Sequence, residues 1–149
     1  MNKELITYSA EETRKLASEL GRKLDRGSLI ILSGDLGAGK TTFTQGLARG
    51  LDIKGKVISP TFTIMKVYQG RLPLYHIDAY RMEGIEQDLG FEEYMEDDGV
   101  CVIEWPNFIA DIIPDESLQI DISFIDEDER KLTFSAKGEK YEKIMEELC

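Results

Sequence analysis

Cysteine is scarce in this sequence, and the two that occur, Cys101 and Cys149, lie far apart. Their spacing matches no metal-binding motif, and two cysteines are too few for a disulfide framework. Cys101 falls inside an apolar, strand-like run, and Cys149 is the last residue. We therefore expect both cysteines to be free thiols.

Long apolar runs are also lacking. No run is long enough to span a bilayer, and the chain does not begin with a charged and then apolar leader. These absences predict a soluble, cytoplasmic protein that neither crosses nor enters a membrane.

Basic residues are outnumbered by acidic ones, with 18 lysines and arginines against 29 aspartates and glutamates and a formal net charge of −11. Proteins that bind nucleic acid directly draw much of their affinity from basic residues that neutralise phosphates. The charge balance therefore argues against unassisted binding to a polyanion. If a nucleic acid is involved, we expect a partner protein to hold it. We interpret charged runs such as residues 127–131 as solvated turns.

The length of 149 residues, 42% of them hydrophobic, suits one folded core, so we expect a single domain over residues 1–149. Residues 4–8 form a short β-like run, and Ser9 and Glu12 then have the spacing of a capping box, which starts a helix. We expect that helix to end at Gly27 and to be followed by a strand and a second helix.

The rest of the chain consists mainly of strand-like runs. Residues 61–68 and 72–78 predict one antiparallel hairpin, and residues 117–125 and 131–136 predict a second. The uniformly apolar run 99–105 is typical of a strand buried on both faces. Short helices in the acidic stretch before that run and an amphipathic C-terminal helix complete the pattern. We therefore predict an α/β fold with a mixed parallel and antiparallel sheet flanked by helices.

A phosphate-binding motif lies between the apolar run 29–33 and the second predicted helix. Residues 34–41 read Gly-Asp-Leu-Gly-Ala-Gly-Lys-Thr and fill every position of the P-loop pattern G-x-x-x-x-G-K-[ST]. Glycines let backbone amides turn inward around phosphate oxygens, Lys40 would contact the β- and γ-phosphates, and Thr41 would ligate Mg²⁺. A strand before the motif and a helix after it are the context that a P-loop requires. We therefore predict nucleotide binding, since a plain glycine-rich turn would give Lys40 no role.

Hydrolysis needs a further carboxylate at the end of a strand next to the P-loop. Glu104 closes the more uniformly apolar run, which makes it the first choice for the metal. Asp78 closes the other run and could reach Mg²⁺ through water or orient the nucleophile. The alternative for each is an acid that caps a strand at the surface. For His76, the only histidine, we favour a hydrogen-bonded structural role over catalysis.

Four motifs together resemble those of the bacterial TsaE family, also called YjeE or YdiB. They are residues 34–42, residues 59–63 (Ser-Pro-Thr-Phe-Thr), residues 76–81 (His-Ile-Asp-Ala-Tyr-Arg) and residues 103–106 (Ile-Glu-Trp-Pro). The likeness covers nearly the whole chain. It implies a small P-loop ATPase required for threonylcarbamoyladenosine formation at position 37 of tRNAs that read ANN codons. Such an ATPase would act on the TsaB–TsaD pair, while TsaC supplies the activated threonylcarbamoyl group.

The resemblance also implies roles for particular residues. Thr41 and Glu104 would be the Mg²⁺ ligands, Asp78 would be a carboxylate important for hydrolysis, and Thr61 would sense the γ-phosphate. The implied catalytic set is Lys40, Asp78 and Glu104. The implied ATP-contacting set, whose first two members form the edge of the adenine pocket, is Glu11, Thr13, Asp35, Leu36, Gly37, Ala38, Gly39, Lys40, Thr41, Thr42 and Thr61.

A small-molecule kinase with the same P-loop is the second candidate function, and a non-hydrolysing ATP sensor is the third. A kinase needs an acceptor site and usually an arginine-bearing lid, but the sequence has no arginine cluster or inserted segment. The two strand-terminal acids argue against a mere sensor. We therefore expect an ATPase that is slow alone, is stimulated by TsaB–TsaD and meets tRNA only indirectly. We expect it to be a monomer or a weak homo-oligomer.

Overall fold

The computed structural model describes residues 2–34, 39–54, 65–78, 99–104 and 116–148. These residues form helices and strands that alternate along the chain. In order they are β1 (Asn2–Thr7), α1 (Ala10–Lys23), β2 (Ser28–Gly34), α2 (Lys40–Gly50), β3 (Met65–Tyr68), β4 (Leu74–Asp78), β5 (Val100–Glu104), β6 (Ser117–Phe124), β7 (Arg130–Lys137) and α3 (Glu139–Leu148).

All the described strands belong to one sheet with the order β1-β7-β6-β2-β5-β4-β3. β2 lies at its centre and runs parallel to both neighbours, β5 and β6. β4 runs parallel to β5, whereas the outer pairs β3–β4, β6–β7 and β1–β7 are antiparallel. This mixed sheet with flanking helices confirms the predicted α/β fold class. It also means that β2, β4, β5 and β6 end at the same edge of the sheet.

The main hydrophobic core lies between the sheet and the pair of helices α1 and α2. Leu20 of α1 and Phe43 and Leu47 of α2 are fully buried. They belong to the same buried cluster as Leu32 of β2 and Ile120 of β6. Burial of side chains of this size is worth about 1.5–3 kcal/mol each, so this interface holds α2 firmly on the sheet.

Helices α1 and α2 approach each other closely because Gly46 has no side chain. A Cβ at this position would lie 2.4 Å from the carbonyl oxygen of Arg14 and 2.6 Å from the Cβ of Ala17. The Nε of Arg14 also donates a hydrogen bond to Oε1 of Gln45 at 3.2 Å. This contact fixes α2, whose first turn follows the predicted P-loop.

The predicted start of α1 is confirmed, but its predicted end is wrong. Oγ of Ser9 accepts the N–H of Glu12 at 3.1 Å, and Oε2 of Glu12 accepts the N–H of Tyr8 at 3.1 Å. The helix ends at Lys23, before Gly27. Gly27, with φ of 77°, instead forms the turn that leads into β2.

Both predicted hairpins and the buried central strand are confirmed over the described residues. β5 is buried along its whole length, as expected for a strand covered on both faces. The predicted C-terminal helix is α3. Residues 61–64 of the first hairpin and the predicted acidic helices lie outside the described residues. No helix among the residues that the structure describes is long and apolar enough to cross a membrane.

The predicted free thiol at Cys101 is confirmed, because this buried cysteine on β5 forms no disulfide. Burial raises the pKa of the Cys101 thiol to about 12, so the thiol stays protonated and unreactive at neutral pH. Cys149 lies outside the described residues.

Candidate functional site

The carboxyl ends of the central parallel strands lie side by side at one edge of the sheet. Glu104, the last residue of β5, is the Cα partner of Leu32 on β2 and of Asp78 at the end of β4. The chain leaves β2 toward β3 and β4, and leaves β5 toward β6 on the other side of β2. Open α/β sheets bind ligands outside the carboxyl ends of strands where the strand order reverses in this way. The two acids selected from the sequence therefore flank the expected ligand position.

Two glycines mark the ends of the predicted P-loop, and each has a backbone conformation that favours glycine. Gly34 has φ of 141°, and Gly39, which caps α2, has φ of 109°. At Gly34 a Cβ would also lie 2.4 Å from the carbonyl oxygen of Ile122 on β6. Glycine is thus required where the loop leaves the sheet and where it enters the helix.

Lys40 opens α2 and points back toward the end of β2. Its Nζ donates a hydrogen bond to the carbonyl oxygen of Gly34 at 2.8 Å. Only 7% of Lys40 is exposed. The first N–H groups of a helix lack partners within the helix, and the helix dipole is positive at this end. A nearly buried ammonium group and a helix N-terminus thus bring positive charge together at the loop.

Glu104 has the burial and position that suit a Mg²⁺ ligand. It is only 3% exposed, and its Oε1 has no hydrogen-bond partner among the described residues. A buried carboxylate is costly unless cations or donors pair with its oxygens, and Mg²⁺ takes carboxylate oxygens as ligands. Thr41 in the first turn of α2 adds a hydroxyl group, and one hydroxyl with one carboxylate is the protein ligand set of P-loop magnesium sites. The residues present therefore fit the metal that the sequence motifs imply.

A cavity of about 70 Å³ lies next to the first turn of α2. It is open to solvent and is bounded by the beginning of α1, the beginning of α2 and the turn between β6 and β7. The lining residues are Ala10, Thr13, Gly39, Thr42, Glu127, Asp128 and Arg130.

The β6–β7 turn is exposed, as its charges predict, but it also forms one wall of this cavity. Oδ1 of Asp126 accepts the N–H groups of Asp128 at 3.0 Å and Glu129 at 2.9 Å. These backbone hydrogen bonds, that of Glu129 first, hold the pKa of Asp126 below its usual value. An ionised Asp126 thus fixes the shape of the turn.

Arg130 is a site residue that the sequence analysis missed. Its Nη1 donates hydrogen bonds to three carbonyl oxygens of its own turn, at 2.6 to 3.2 Å. Its guanidinium carbon also lies 4.7 Å from the centroid of the Phe124 ring. The turn reaches the P-loop because Ile122 on β6 is the register partner of Gly34. No local motif gives this pairing, so the sequence held no signal for it.

Three predicted nucleotide-contacting residues, Thr13, Gly39 and Thr42, meet at the cavity. Glu11 does not line it. The Glu11 carboxylate is exposed and pairs with Nη1 of Arg49 at 2.9 Å. The hydrogen bond from Arg49 holds the pKa of Glu11 below its ordinary value.

The remaining predicted site residues lie outside the described part of the chain. For Asp78 this applies to the side chain, since its backbone is placed in β4. Their roles stay predictions. They are Asp35, Leu36, Gly37, Ala38 and Thr61.

Several known proteins are similar to this chain. The family model described as threonylcarbamoyl adenosine biosynthesis protein TsaE matches residues 7–132. A relative from Bacillus subtilis (strain 168), named tRNA threonylcarbamoyladenosine biosynthesis protein TsaE, is 50% identical over 143 residues, which cover 95% of this chain and 90% of that protein. A protein of the same name from Treponema pallidum (strain Nichols) is 42% identical over 130 residues, 86% of this chain and 96% of that protein. The crystal structure of YdiB from Bacillus subtilis is similar at a TM-score of 0.86 and 43% identity, with 99% of this chain and 94% of that chain covered.

Proposed function

Since the chain belongs to the TsaE family of threonylcarbamoyl adenosine biosynthesis proteins, we propose that it is a P-loop ATPase that serves this tRNA modification. It uses ATP and Mg²⁺, acts in the cytoplasm on a TsaB–TsaD complex, and supports threonylcarbamoyladenosine formation at position 37 of ANN-reading tRNAs. The family membership supports a role in this pathway. The use of ATP is supported by Lys40, the N-terminus of α2 and Glu104, which lie at the carboxyl edge of the sheet.

The observation that carries ATP binding is the position of the Lys40 ammonium group. It is nearly buried at the N-terminus of α2, where the helix dipole is also positive. An ammonium group and a helix N-terminus that lie together attract an anion. A phosphate chain at the loop supplies that anion, and the glycines at positions 34 and 39 leave room for backbone amides to approach it.

We place the nucleoside end of ATP in the cavity beside Thr42. Two acidic residues, Glu127 and Asp128, line this cavity together with Arg130. Carboxylates repel phosphate groups but accept hydrogen bonds from ribose hydroxyl and adenine amino groups. The phosphates therefore extend from Thr42 toward Lys40, and the base and ribose lie toward the β6–β7 turn.

Thr41 and Glu104 would hold Mg²⁺ at the phosphate end. When bound there, the metal neutralises charge on phosphate oxygens and polarises the phosphoryl group. Glu104 would supply a buried carboxylate oxygen, and Asp78, level with it on β4, would orient the attacking water. Both acids would thus act from neighbouring strand ends of one sheet.

A small-molecule kinase is the alternative, because a P-loop also serves phosphoryl transfer to an acceptor. Kinases usually close an arginine-bearing lid over the transferred phosphate. Arg130 lines the cavity, but its Nη1 is held by carbonyl oxygens of its own turn. The family membership therefore favours the ATPase.

Turnover of ATP by the purified chain should be slow and should rise when TsaB–TsaD is added. A cation supplied by a partner can raise phosphoryl-transfer rates by about 10³- to 10⁵-fold, so we expect at least a roughly tenfold increase in kcat. The measurement is phosphate release with the chain alone, with TsaB–TsaD, and with nucleosides or sugars as acceptors. Rapid hydrolysis that TsaB–TsaD leaves unchanged would contradict the proposal. Transfer of the γ-phosphate to an acceptor would establish the kinase instead.

The chain alone should not bind tRNA appreciably at physiological salt, because a net charge of −11 leaves little basic surface to release counterions. The test is filter retention of tRNA by the chain, by TsaB–TsaD, and by all three proteins with MgATP. We expect retention only where TsaB–TsaD is present. Salt-sensitive micromolar binding by the chain alone would instead point to a local basic patch, for which Lys54 and Lys66 are the described candidates.

A further inference from the structure

We propose that His76 is a positioning residue that orients the Glu104 carboxylate for the Mg²⁺ ion bound at the P-loop. The inference deepens the proposed function and rests on it. Its basis is the geometry of β4 and β5 at the carboxyl edge of the sheet.

His76 lies in the middle of β4 and is fully buried. Its Nε2 lies 3.5 Å from Oε1 of Glu104, which is two residues further along the neighbouring strand. This separation is slightly longer than a hydrogen bond, so a small rotation of either side chain closes it. The imidazole therefore stands beside one oxygen of the carboxylate that is proposed to ligate the metal.

The polar atoms of this pair are unusual in being buried without partners. Both ring nitrogens of His76 and Oε1 of Glu104 have no hydrogen-bond partner among the described residues. Buried polar groups are nearly always hydrogen-bonded, and such exceptions often mark a functional contact. A contact that tightens when the site is loaded accounts for Nε2 of His76 and Oε1 of Glu104, since hydrogen bonds in active sites are often long before ligands bind.

The residues level with His76 on the sheet show that packing alone does not require a histidine. Register pairs place Val102, Ile30, Leu118 and Ala136 in one row with it, and all four are apolar. His76 is the buried polar member of this row, since its register partner on β3, Lys66, is only partly buried. A leucine or methionine would fill the same buried space without leaving ring nitrogens unpaired.

The chemical role follows from how metal sites are built. A donor beside a ligating carboxylate fixes its rotation and leaves its other oxygen to the metal, and loss of such a donor typically costs 10- to 100-fold in metal affinity. An Nε2–H group of His76 would be such a donor, since Nε2 lies 3.5 Å from Oε1 of Glu104. His76 thus acts through Glu104 and not on ATP.

The experiment measures how much Mg²⁺ strengthens nucleotide binding, without any turnover. Calorimetry with a non-hydrolysable ATP analogue, in Mg²⁺ and in EDTA, gives the ratio of the two affinities for each variant. We expect His76→Met to lower this ratio about tenfold or more, while affinity in EDTA stays unchanged. His76→Gln, whose amide nitrogen reaches the Nε2 position, should retain most of the ratio. His76→Asn, whose amide reaches only the Nδ1 position, should lose it.

Val102→Ala is the matched control, because Val102 is buried and is the register partner of His76 but carries no donor. It should leave the ratio unchanged although it lowers stability. In a Glu104→Ala background, His76→Met should cause no further loss. A ratio within about twofold of wild type in His76→Met, or an equal loss in both backgrounds, overturns the inference.

Thermal unfolding shows which variants fold. If His76→Met does not fold, the comparison of His76→Gln with His76→Asn tests the positioning role. The proposed function fails in a different way from this inference. It fails if the wild-type chain shows no nucleotide binding, or if Glu104→Ala leaves the ratio unchanged. If the wild-type chain binds nucleotide and Glu104→Ala lowers the ratio, but the His76 variants match wild type, the positioning role alone is wrong.

Discussion

Lys40→Ala is expected to abolish tight ATP binding while the protein stays folded. The substitution removes an ammonium group that lies 2.8 Å from the carbonyl oxygen of Gly34, at the mouth of the P-loop. Hydrogen bonds to charged groups contribute about 1.5–3 kcal/mol each, and Lys40 would make at least one to phosphate. The expected loss is therefore roughly tenfold to a few hundredfold or more in Kd. Calorimetry with MgATP measures it, and the same variant should not support tRNA modification.

Lys143→Ala is the matched control, because Lys143 is exposed on α3 and its loss changes the net charge equally. It should bind MgATP as the wild type does. Thr41→Ala should weaken binding mainly in the presence of Mg²⁺, since it removes a metal ligand and not a cation. Unchanged affinity for MgATP in both the Lys40 and Thr41 variants would rule out the P-loop assignment.

The parts of the site that local chemistry determines were predictable from the sequence. The spacing of residues 34–41 requires a loop between a strand and a helix, and the structure has β2 before it and α2 after it. The buried run ending in Glu104 is also local, because continuous apolar residues are typical of a central parallel strand. The sequence pattern and the local backbone structure agree at these two places, because the same consecutive residues determine both.

The parts of the site that depend on strand register were not predictable. Arg130 reaches the cavity only because β6 pairs with β2, so that Ile122 lies beside Gly34. The approach of His76 to Glu104 likewise needs β4 to pair with β5 in one particular register. Neither pairing follows from residue spacing, since each joins segments separated along the chain by intervening elements.

The wrong end of α1 has a different cause. Gly27 has the positive φ of a helix stop, but the helix ends earlier, at the buried C-cap residue Leu24, whose backbone is extended (φ −76°, ψ 147°). The N–H of Leu24 bonds to the carbonyl oxygen of Gly21 and closes the last turn. The glycine signal thus marked the turn before β2 and not the last residue of the helix, and element boundaries are the part of a fold that sequence patterns locate least well.

The two acids at the sheet edge should have separable roles in hydrolysis. They are Cα partners on β5 and β4, so their backbones are level at the carboxyl edge of the sheet. Glu104 is only 3% exposed at the end of β5, and a buried carboxylate at this position suits direct contact with a metal. Asp78 is proposed to orient water, a role that affects the rate but not the affinity for metal.

Glu104→Ala and Asp78→Ala should therefore both reduce hydrolysis, but only Glu104→Ala should remove most of the Mg²⁺ dependence of nucleotide affinity. Charge stabilisation by a bound metal is worth several kcal/mol in the transition state, so we expect Glu104→Ala to lower kcat about a hundredfold or more. Glu104→Gln keeps the shape of the side chain and should lose nearly as much, because the missing negative charge and not the missing volume causes the effect. Single-turnover hydrolysis and calorimetry with and without Mg²⁺ measure the two quantities. If Asp78→Ala lost the metal dependence while Glu104→Ala retained it, the roles of the two acids would be exchanged, and β4 rather than β5 would carry the metal ligand.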